Sequence, residues 1–299
     1  MTILVAGGKG QVGQCFQQLA ARYPQWNFVF ADLPELDITR RKAVFSFFNS
    51  FQDDRRSLQD DKLGWCINCA AYTAVDKAES EPALARKINV TGAKNLAEAC
   101  AAAGIPFLHL STDYVYHNRQ NTPFREDDPV SPKSVYARTK LAGDLAALKA
   151  NPLTAIIRTS WVYSEFGHNF VKTMLRLGAE RPALNVVYDQ VGTPTYAPDL
   201  AAAILRLIEK VENKEVEPAQ LAGVWHYSNE GVTSWYDFAR AIFEIRGLPC
   251  RVNAIETSAF PTPAQRPPFS LLSKEKIKAA FGLEIPYWRE SLEGCLGRM

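Results

Sequence analysis

The run Gly7-Gly8-Lys9-Gly10-Gln11-Val12-Gly13 follows directly on the apolar stretch Ile3-Leu4-Val5-Ala6. It leads into a segment with Val12, Phe16, Leu19 and Tyr23 at helical spacing. A strand, a glycine turn and a helix in that order leave few folds open. Gly7, Gly10 and Gly13 are spaced G-x-x-G-x-x-G, a variant of the dinucleotide-binding fingerprint. Glycine is needed where the backbone turns tightly and lies against a pyrophosphate, because a Cβ there collides with the ligand or forces a strained φ. The helix that follows offers free N–H groups and a partial positive charge to phosphate. Asp32 stands 19 positions beyond Gly13, after a second apolar run, Phe28-Val29-Phe30-Ala31. A carboxylate there accepts both hydroxyls of an adenosine ribose and repels a 2′-phosphate, which tilts the site towards NAD. Lys9, Arg40 and Arg41 stand near enough in sequence to offset that charge.

The alternation continues along the first half. Helical patterns at 39–51, 81–103 (ended by Gly104) and from Ser131-Pro132 to about 150 separate strand candidates at 65–69, 107–110 and 155–157. Strands that are apolar throughout and alternate with helices predict a parallel sheet covered on both faces. The second half is less regular. It reads as a helix over 199–211, a strand over 224–227, and a helix over 235–246 capped by Thr233 or Ser234. A proline-broken extended segment surrounds Arg266. The expected architecture is α/β: a Rossmann-like doubly wound parallel sheet with a smaller C-terminal substrate-binding lobe. Residues 1–164 are assigned to the dinucleotide-binding domain, completed by about 190–228, and 165–189 with 229–299 to the lobe. Residues 52–62 read as a solvated, charge-rich connector.

Composition narrows the function classes. The 299 residues suggest about two domains at roughly 150 residues each. With 47% hydrophobic and 22% charged residues, the chain is neither disordered nor collagen-like. A net charge of +2 gives no strong footprint for nucleic acid or an acidic membrane. No apolar run reaches the roughly 18 residues of a membrane span, and the first residues carry no basic leader, so a cytoplasmic enzyme is expected. Six cysteines are too sparse for a disulfide framework. Cys66 and Cys69 form a lone C-x-x-C without the further ligands zinc needs, so no metal is expected there.

Tyr136-Ala137-Arg138-Thr139-Lys140 lies on the helix expected after Pro132, and the spacing of four puts Tyr136 and Lys140 one turn apart on one face. Gly143 and Ala147 continue that face, while Leu141, Leu145 and Leu148 mark an apolar one. A phenol near pKa 10 is sluggish at neutral pH, and a nearby ammonium is expected to lower that value. The phenol then gives a proton to a carbonyl oxygen as hydride reaches its carbon. Tyr136 is the only one of eleven tyrosines followed four residues later by lysine. Ser111-Thr112 closes the strand candidate at 107–110, and a hydroxyl at a strand's carboxyl end is placed to hold that carbonyl.

With these residues the chain resembles the extended short-chain dehydrogenase/reductase superfamily and, more narrowly, the dTDP-4-dehydrorhamnose reductases. The resemblance runs through the glycine turn, Asn68-Cys69-Ala70-Ala71-Tyr72-Thr73-Ala74-Val75-Asp76-Lys77-Ala78-Glu79, Ser111-Thr112-Asp113-Tyr114-Val115-Tyr116 and Tyr136 to Lys140. It continues through Arg158-Thr159-Ser160-Trp161-Val162-Tyr163, Asn169-Phe170-Val171, Asp189-Gln190-Val191-Gly192-Thr193-Pro194-Thr195 and Thr262-Pro263-Ala264-Gln265-Arg266-Pro267. It implies that NADPH or NADH delivers hydride to the C4 ketone of dTDP-4-dehydro-6-deoxy-L-mannose. By the same analogy Tyr136 donates the proton, Lys140 tunes it and holds the nicotinamide ribose, and Thr112 orients the ketone. Gly7, Gly10, Gln11, Val12 and Gly13 would carry pyrophosphate, Asp32 the adenosine ribose, and Asp37 with Ile38 the adenine. Ala70, Ala71 and Tyr72 would line the cofactor. Thr73, Thr112, Asp113, Tyr136 and Trp161 would meet the sugar nucleotide, with Arg266 near its diphosphate.

The chain departs from some relatives at Cys15 and Pro198, where carboxylates linked to metal-assisted dimerisation stand, so neither a metal nor a dimer is carried over and the expectation is a monomer or homodimer. Three alternatives stay open at this stage. A dehydratase needs a second carboxylate where Tyr114 stands. An epimerase/reductase of the GDP-fucose type needs a cysteine near Ser111. A silent cofactor-binding subunit is the third.

Overall fold

The computed structural model describes residues 1–51 and 62–299. Most of the connector expected at 52–62 therefore lies outside the described residues. Six strands form one parallel sheet: β1 (Thr2–Ala6), β2 (Asn27–Ala31), β3 (Leu63–Asn68), β4 (Phe107–Thr112), β5 (Thr154–Thr159) and a last strand, Gly223–His226. Their spatial order is Gly223–His226, β5, β4, β3, β1, β2. β1 pairs with both β2 and β3, so the winding reverses there, and the crevice between the carboxyl ends of β1 and β3 is where such sheets take ligands.

Both faces of the sheet are covered, which is why its strands read as continuous apolar runs. Ile3 and Val5 point to one face with Trp65, Ile67, Leu108 and Ile157, under the helices Gln11–Ala20 and Ala197–Glu212. Leu4 and Ala6 alternate to the other face with Cys66, Phe107 and Ile156, under Arg41–Asn49, Ala93–Ala103 and Val135–Ala150. Each such fully buried aliphatic side chain contributes roughly 1.5–3 kcal/mol.

Two helices differ from the sequence expectation. The single helix expected over 81–103 is split into Pro82–Arg86, a π-helical segment at Lys87–Gly92, and Ala93–Ala103. The buried Asn89 anchors the widened turn: its amide donates to Thr139 Oγ1 (3.1 Å) and the Tyr72 carbonyl (3.2 Å), and its Oδ1 accepts from Tyr72 N–H (2.8 Å). The helix expected from Ser131 starts later, at Val135, because Ser134 caps it by accepting from Ala137 N–H at 3.1 Å.

Beyond β5, the helices Phe170–Glu180, Trp235–Arg246 and Trp288–Leu296 pack with the parallel pair Ala183–Val187 and Arg251–Ile255 around Tyr163, Phe238 and Leu292. Ser234 supplies the cap of Trp235–Arg246 by accepting from Asp237 N–H. The later segment around Ile277, Phe281 and Leu283 instead joins the core on the first face of the sheet, with Phe281 and Trp225 ring centroids 4.7 Å apart. The chain thus crosses to the second cluster and returns. Among the described residues no helix is long and apolar enough to cross a membrane.

Candidate active site

The glycine turn sits at the mouth of the crevice. Gly7 has φ +83°, and a Cβ on it would lie 2.6 Å from the Ala70 N atom, so the loops after β1 and β3 abut with no room for a side chain. A Cβ on Gly13 would lie 2.3 Å from the Gly7 carbonyl oxygen, which lets the helix Gln11–Ala20 seat directly against the turn. Gly10 occupies that helix's N-cap without a side-chain cap, leaving first-turn N–H groups for a ligand. The Gln11 side chain is committed elsewhere: Nε2 donates to the Val162 carbonyl (3.1 Å) and Oε1 accepts from Asn169 Nδ2 (2.8 Å).

A cavity of about 610 Å³ runs from this turn to the carboxyl ends of β4 and β5. Of the residues singled out in the sequence, Gly10, Gln11, Val12, Ala71, Thr73, Thr112, Asp113, Tyr136, Lys140 and Trp161 line it together. Gly7 and Gly13 shape the turn behind it. Asp32, Asp37, Ile38, Ala70 and Tyr72 are not on its walls. Asp32 ties down the turn instead, accepting from Lys9 N–H (3.2 Å) and Leu33 N–H (2.9 Å). Asp37 accepts from Thr39 Oγ1 (2.7 Å), which holds its carboxyl below the usual carboxylate range. Ile38 is buried beside Gly92, and its carbonyl accepts from Asn95. The Tyr72 hydroxyl donates to Glu81 at 2.7 Å, and that bond pushes the phenol up to about 12. A carboxylate offers about four acceptor sites, so the Asp32 bonds leave capacity for a ribose.

At the far end stand the groups for acid–base work. Tyr136 meets Tyr114 edge to face (5.8 Å) and shares the cavity wall with Thr112. Thr112 donates to Asp113 Oδ1 (3.1 Å) and accepts from Tyr114 N–H (3.2 Å). Burial pushes Tyr136 up to about 12, partly countered by the neighbouring Thr112 hydroxyl. This reverses the sequence expectation that Lys140 would lower it. The reason is geometric: the Lys140 amine donates to the Leu110 carbonyl (2.7 Å) and contacts His109 Nε2 (3.2 Å). Lys140 is only 2% exposed, and burial brings it down to about 8. Asp113 is buried with Oδ2 unpartnered, and burial lifts its carboxyl to about 7.

A second cavity of about 840 Å³ adjoins the first, and both are lined by Tyr114 and Trp235. Arg266 lines the second, held by a two-pronged pair with Asp76 (Nη1 to Oδ1 3.0 Å, Nη2 to Oδ2 2.7 Å). Trp161 adopts φ +48°, an unusual conformation for a bulky residue. Its indole stacks on Trp235 at 3.6 Å, and a Cβ on Gly192 would lie 3.0 Å from it. Sequence reasoning missed Trp235, Asp76 as the partner of Arg266, and His109. Only Asp76 carried a signal, in the segment 68–79 that supports the family resemblance.

The family model described as RmlD substrate binding domain matches residues 1–299. A dTDP-4-dehydrorhamnose reductase of Sinorhizobium fredii is 40% identical over 295 residues, covering 97% of this chain and 95% of the relative. A crystal structure of a dTDP-4-dehydrorhamnose reductase from Clostridium acetobutylicum superposes with TM-score 0.90 at 38% identity, covering 100% of this chain and 99% of the other. One from Bacillus anthracis, in complex with NADP, does so with TM-score 0.90 at 33% identity and the same coverage.

Proposed function

The chain belongs to the dTDP-4-dehydrorhamnose reductase family, and from that premise we propose that it reduces the C4 ketone of dTDP-4-dehydro-6-deoxy-L-mannose to give dTDP-L-rhamnose, using NADPH or NADH. The observation that carries the reading is the shared wall of one cavity: glycine turn and open helix N-terminus at one end, Thr112, Tyr136 and Lys140 at the other. The cradle fits a dinucleotide, because Gly10 lines the cavity as the uncapped N-terminus of its helix, while Gly7 and Gly13 let the turn fold tightly behind it. When bound, the reduced nicotinamide supplies the hydride.

Ketone reduction needs a protonated donor, and burial keeps the Tyr136 phenol protonated throughout the neutral range. Thr112, on the same wall as Tyr136, holds the ketone oxygen beside it. Lys140, charged below about 8, opposes the negative charge that builds on the phenol as the proton leaves. Activity therefore falls as pH rises through the Lys140 value, not through that of Tyr136. Lys9, bonded to the Leu33 carbonyl beside Asp32, supplies positive charge near the adenosine ribose and favours use of either cofactor. Asp32, Asp37, Ile38, Ala70, Ala71 and Tyr72 frame the adenosine half, by position after β2 and β3. The sugar ring lies against Thr73, Asp113 and Trp161, and the nucleoside diphosphate takes the second cavity, with Arg266 facing the phosphates.

In this reading residues 1–164 with about 190–228 hold the cofactor, and 165–189 with most of 229–299 hold the nucleotide. We assign the enzyme to the cytoplasm, in keeping with six cysteines that are all free thiols. The test is a coupled assay with dTDP-glucose, the upstream dehydratase and 3,5-epimerase, and NADPH or NADH. Cofactor oxidation that depends on every component, with dTDP-L-rhamnose as product, is the expected result. Oxidation without the 3,5-epimerase would point to a different ketone.

A further inference from the structure

Tyr136 and Lys140 share one face of their helix, and Asp144 extends that face by another four residues. Asp144 is 1% exposed, between its helix and the sheet. Its Oδ2 accepts from Ser111 Oγ (2.7 Å) and lies 3.7 Å from Arg158 Nε. Its Oδ1 lies 3.7 Å from His109 Nε2 and has no hydrogen-bond partner. The same His109 Nε2 is 3.2 Å from Lys140 Nζ. Asn68 fixes the orientation of that imidazole. Its Oδ1 accepts from Ala70 N–H (3.0 Å), and its Nδ2 lies 2.9 Å from His109 Nδ1. Burial drives His109 far below its ordinary pKa, so the ring stays neutral and adds no charge.

The groups facing Lys140 are His109 and the Leu110 carbonyl on β4, Cys69 after β3, and Asp144 on its own helix. Those facing Asp144 are Lys140, Tyr136, Ser111, His109 and Arg158; burial raises its carboxyl, and Lys140, Arg158 and the Ser111 bond oppose that rise. A single buried carboxylate thus stands among two buried cations and a neutral ring. A buried ammonium without a counter-charge loses its proton.

We propose that Asp144 is a positioning residue of this active site, the buried counter-charge that, across the His109 imidazole, keeps Lys140 protonated while the ketone is reduced. The proposal rests on the reading of Lys140 as the support of Tyr136. The sign follows from the charges: Asp144 favours the charged lysine, so removing it lowers the pH at which Lys140 gives up its proton.

The test compares the parent with Asp144→Asn, Asp144→Glu and Ser111→Ala. Two quantities are read: kcat against pH in the coupled assay, and the Lys140 titration midpoint by NMR of protein labelled at the lysine ε-carbon, with the signal assigned through Lys140→Arg. In Asp144→Asn both the alkaline limb of kcat and the midpoint move down by about one to three pH units. Asp144→Glu restores most of the shift. Ser111→Ala removes the bond that favours the ionised carboxylate, and moves both down by less. If Asp144→Asn does not fold, the Ser111→Ala midpoint decides. An unmoved midpoint, or an equal loss of kcat at every pH, reduces Asp144 to a structural role and overturns the proposal. A moved midpoint in a protein that leaves the sugar nucleotide unreduced supports the Asp144–Lys140 coupling and overturns the substrate reading instead.

Discussion

Two helices of sixteen residues lie on opposite faces of the same sheet and bury opposite kinds of side chain. Ala197–Glu212 buries Leu200, Ile204, Leu207, Ile208 and Val211, the ordinary apolar stripe. Val135–Ala150 buries Thr139, Lys140 and Asp144 and leaves Leu145 60% exposed. The first helix holds the fold together; the second carries chemistry into it, and its buried charges persist because β4 and β5 supply Ser111, His109 and Arg158 as partners. Both faces of the sheet carry an apolar core, but only the second helix adds buried charge to it.

The largest effect expected is Tyr136→Phe, which removes the donor while keeping the ring that meets Tyr114. kcat falls roughly 10²–10⁴-fold, with an unchanged melting temperature by calorimetry. On the other helix, Ile204→Ala should cost about 2–5 kcal/mol in urea unfolding, with kcat per folded molecule retained. If that change altered kcat as strongly as Tyr136→Phe, the contrast between the two faces would be lost. Gly143→Ala is a sharper probe of the chemical helix. A Cβ there would lie 2.1 Å from the Asn89 carbonyl oxygen, so overpacking of about 1–3 kcal/mol is expected in the same unfolding measurement. Leu145→Gln should be the mildest, within about 0.5 kcal/mol of the parent, because the side chain already faces water.

The contrast also marks where sequence reading stops. The glycine turn between β1 and its helix was legible because its period and its neighbours are local. The spacing of Tyr136 and Lys140 was legible for the same reason. Leu141, Leu145 and Leu148 suggested an apolar face, yet the helix is turned so that Ala137, Gly143 and Ala147 meet the neighbouring segments and Leu145 meets solvent. The spacing did place Gly143 and Ala147 on the Tyr136–Lys140 face, and that is the face that is buried; what it did not show is that Leu145 lies outside the core. Asp144 in an Ala- and Leu-rich stretch reads as a solvated charge until β4 and β5 are laid against it. The π-helical turn at Lys87–Gly92 depends on Asn89 reaching Thr139, a contact 50 residues away in sequence. Trp235 reaches the cleft from a helix that the motifs never linked to it.

The face-to-face indoles of Trp161 and Trp235 give the cleft an optical property of its own. Two identical chromophores stacked at van der Waals distance couple their excited states, which shifts and redistributes their absorption, and where their transition moments are rotated about the stacking axis the pair adds a couplet to the circular dichroism. Any occupant that parts or tilts those rings has to change that signal, so the native protein can report its own filling without an attached dye.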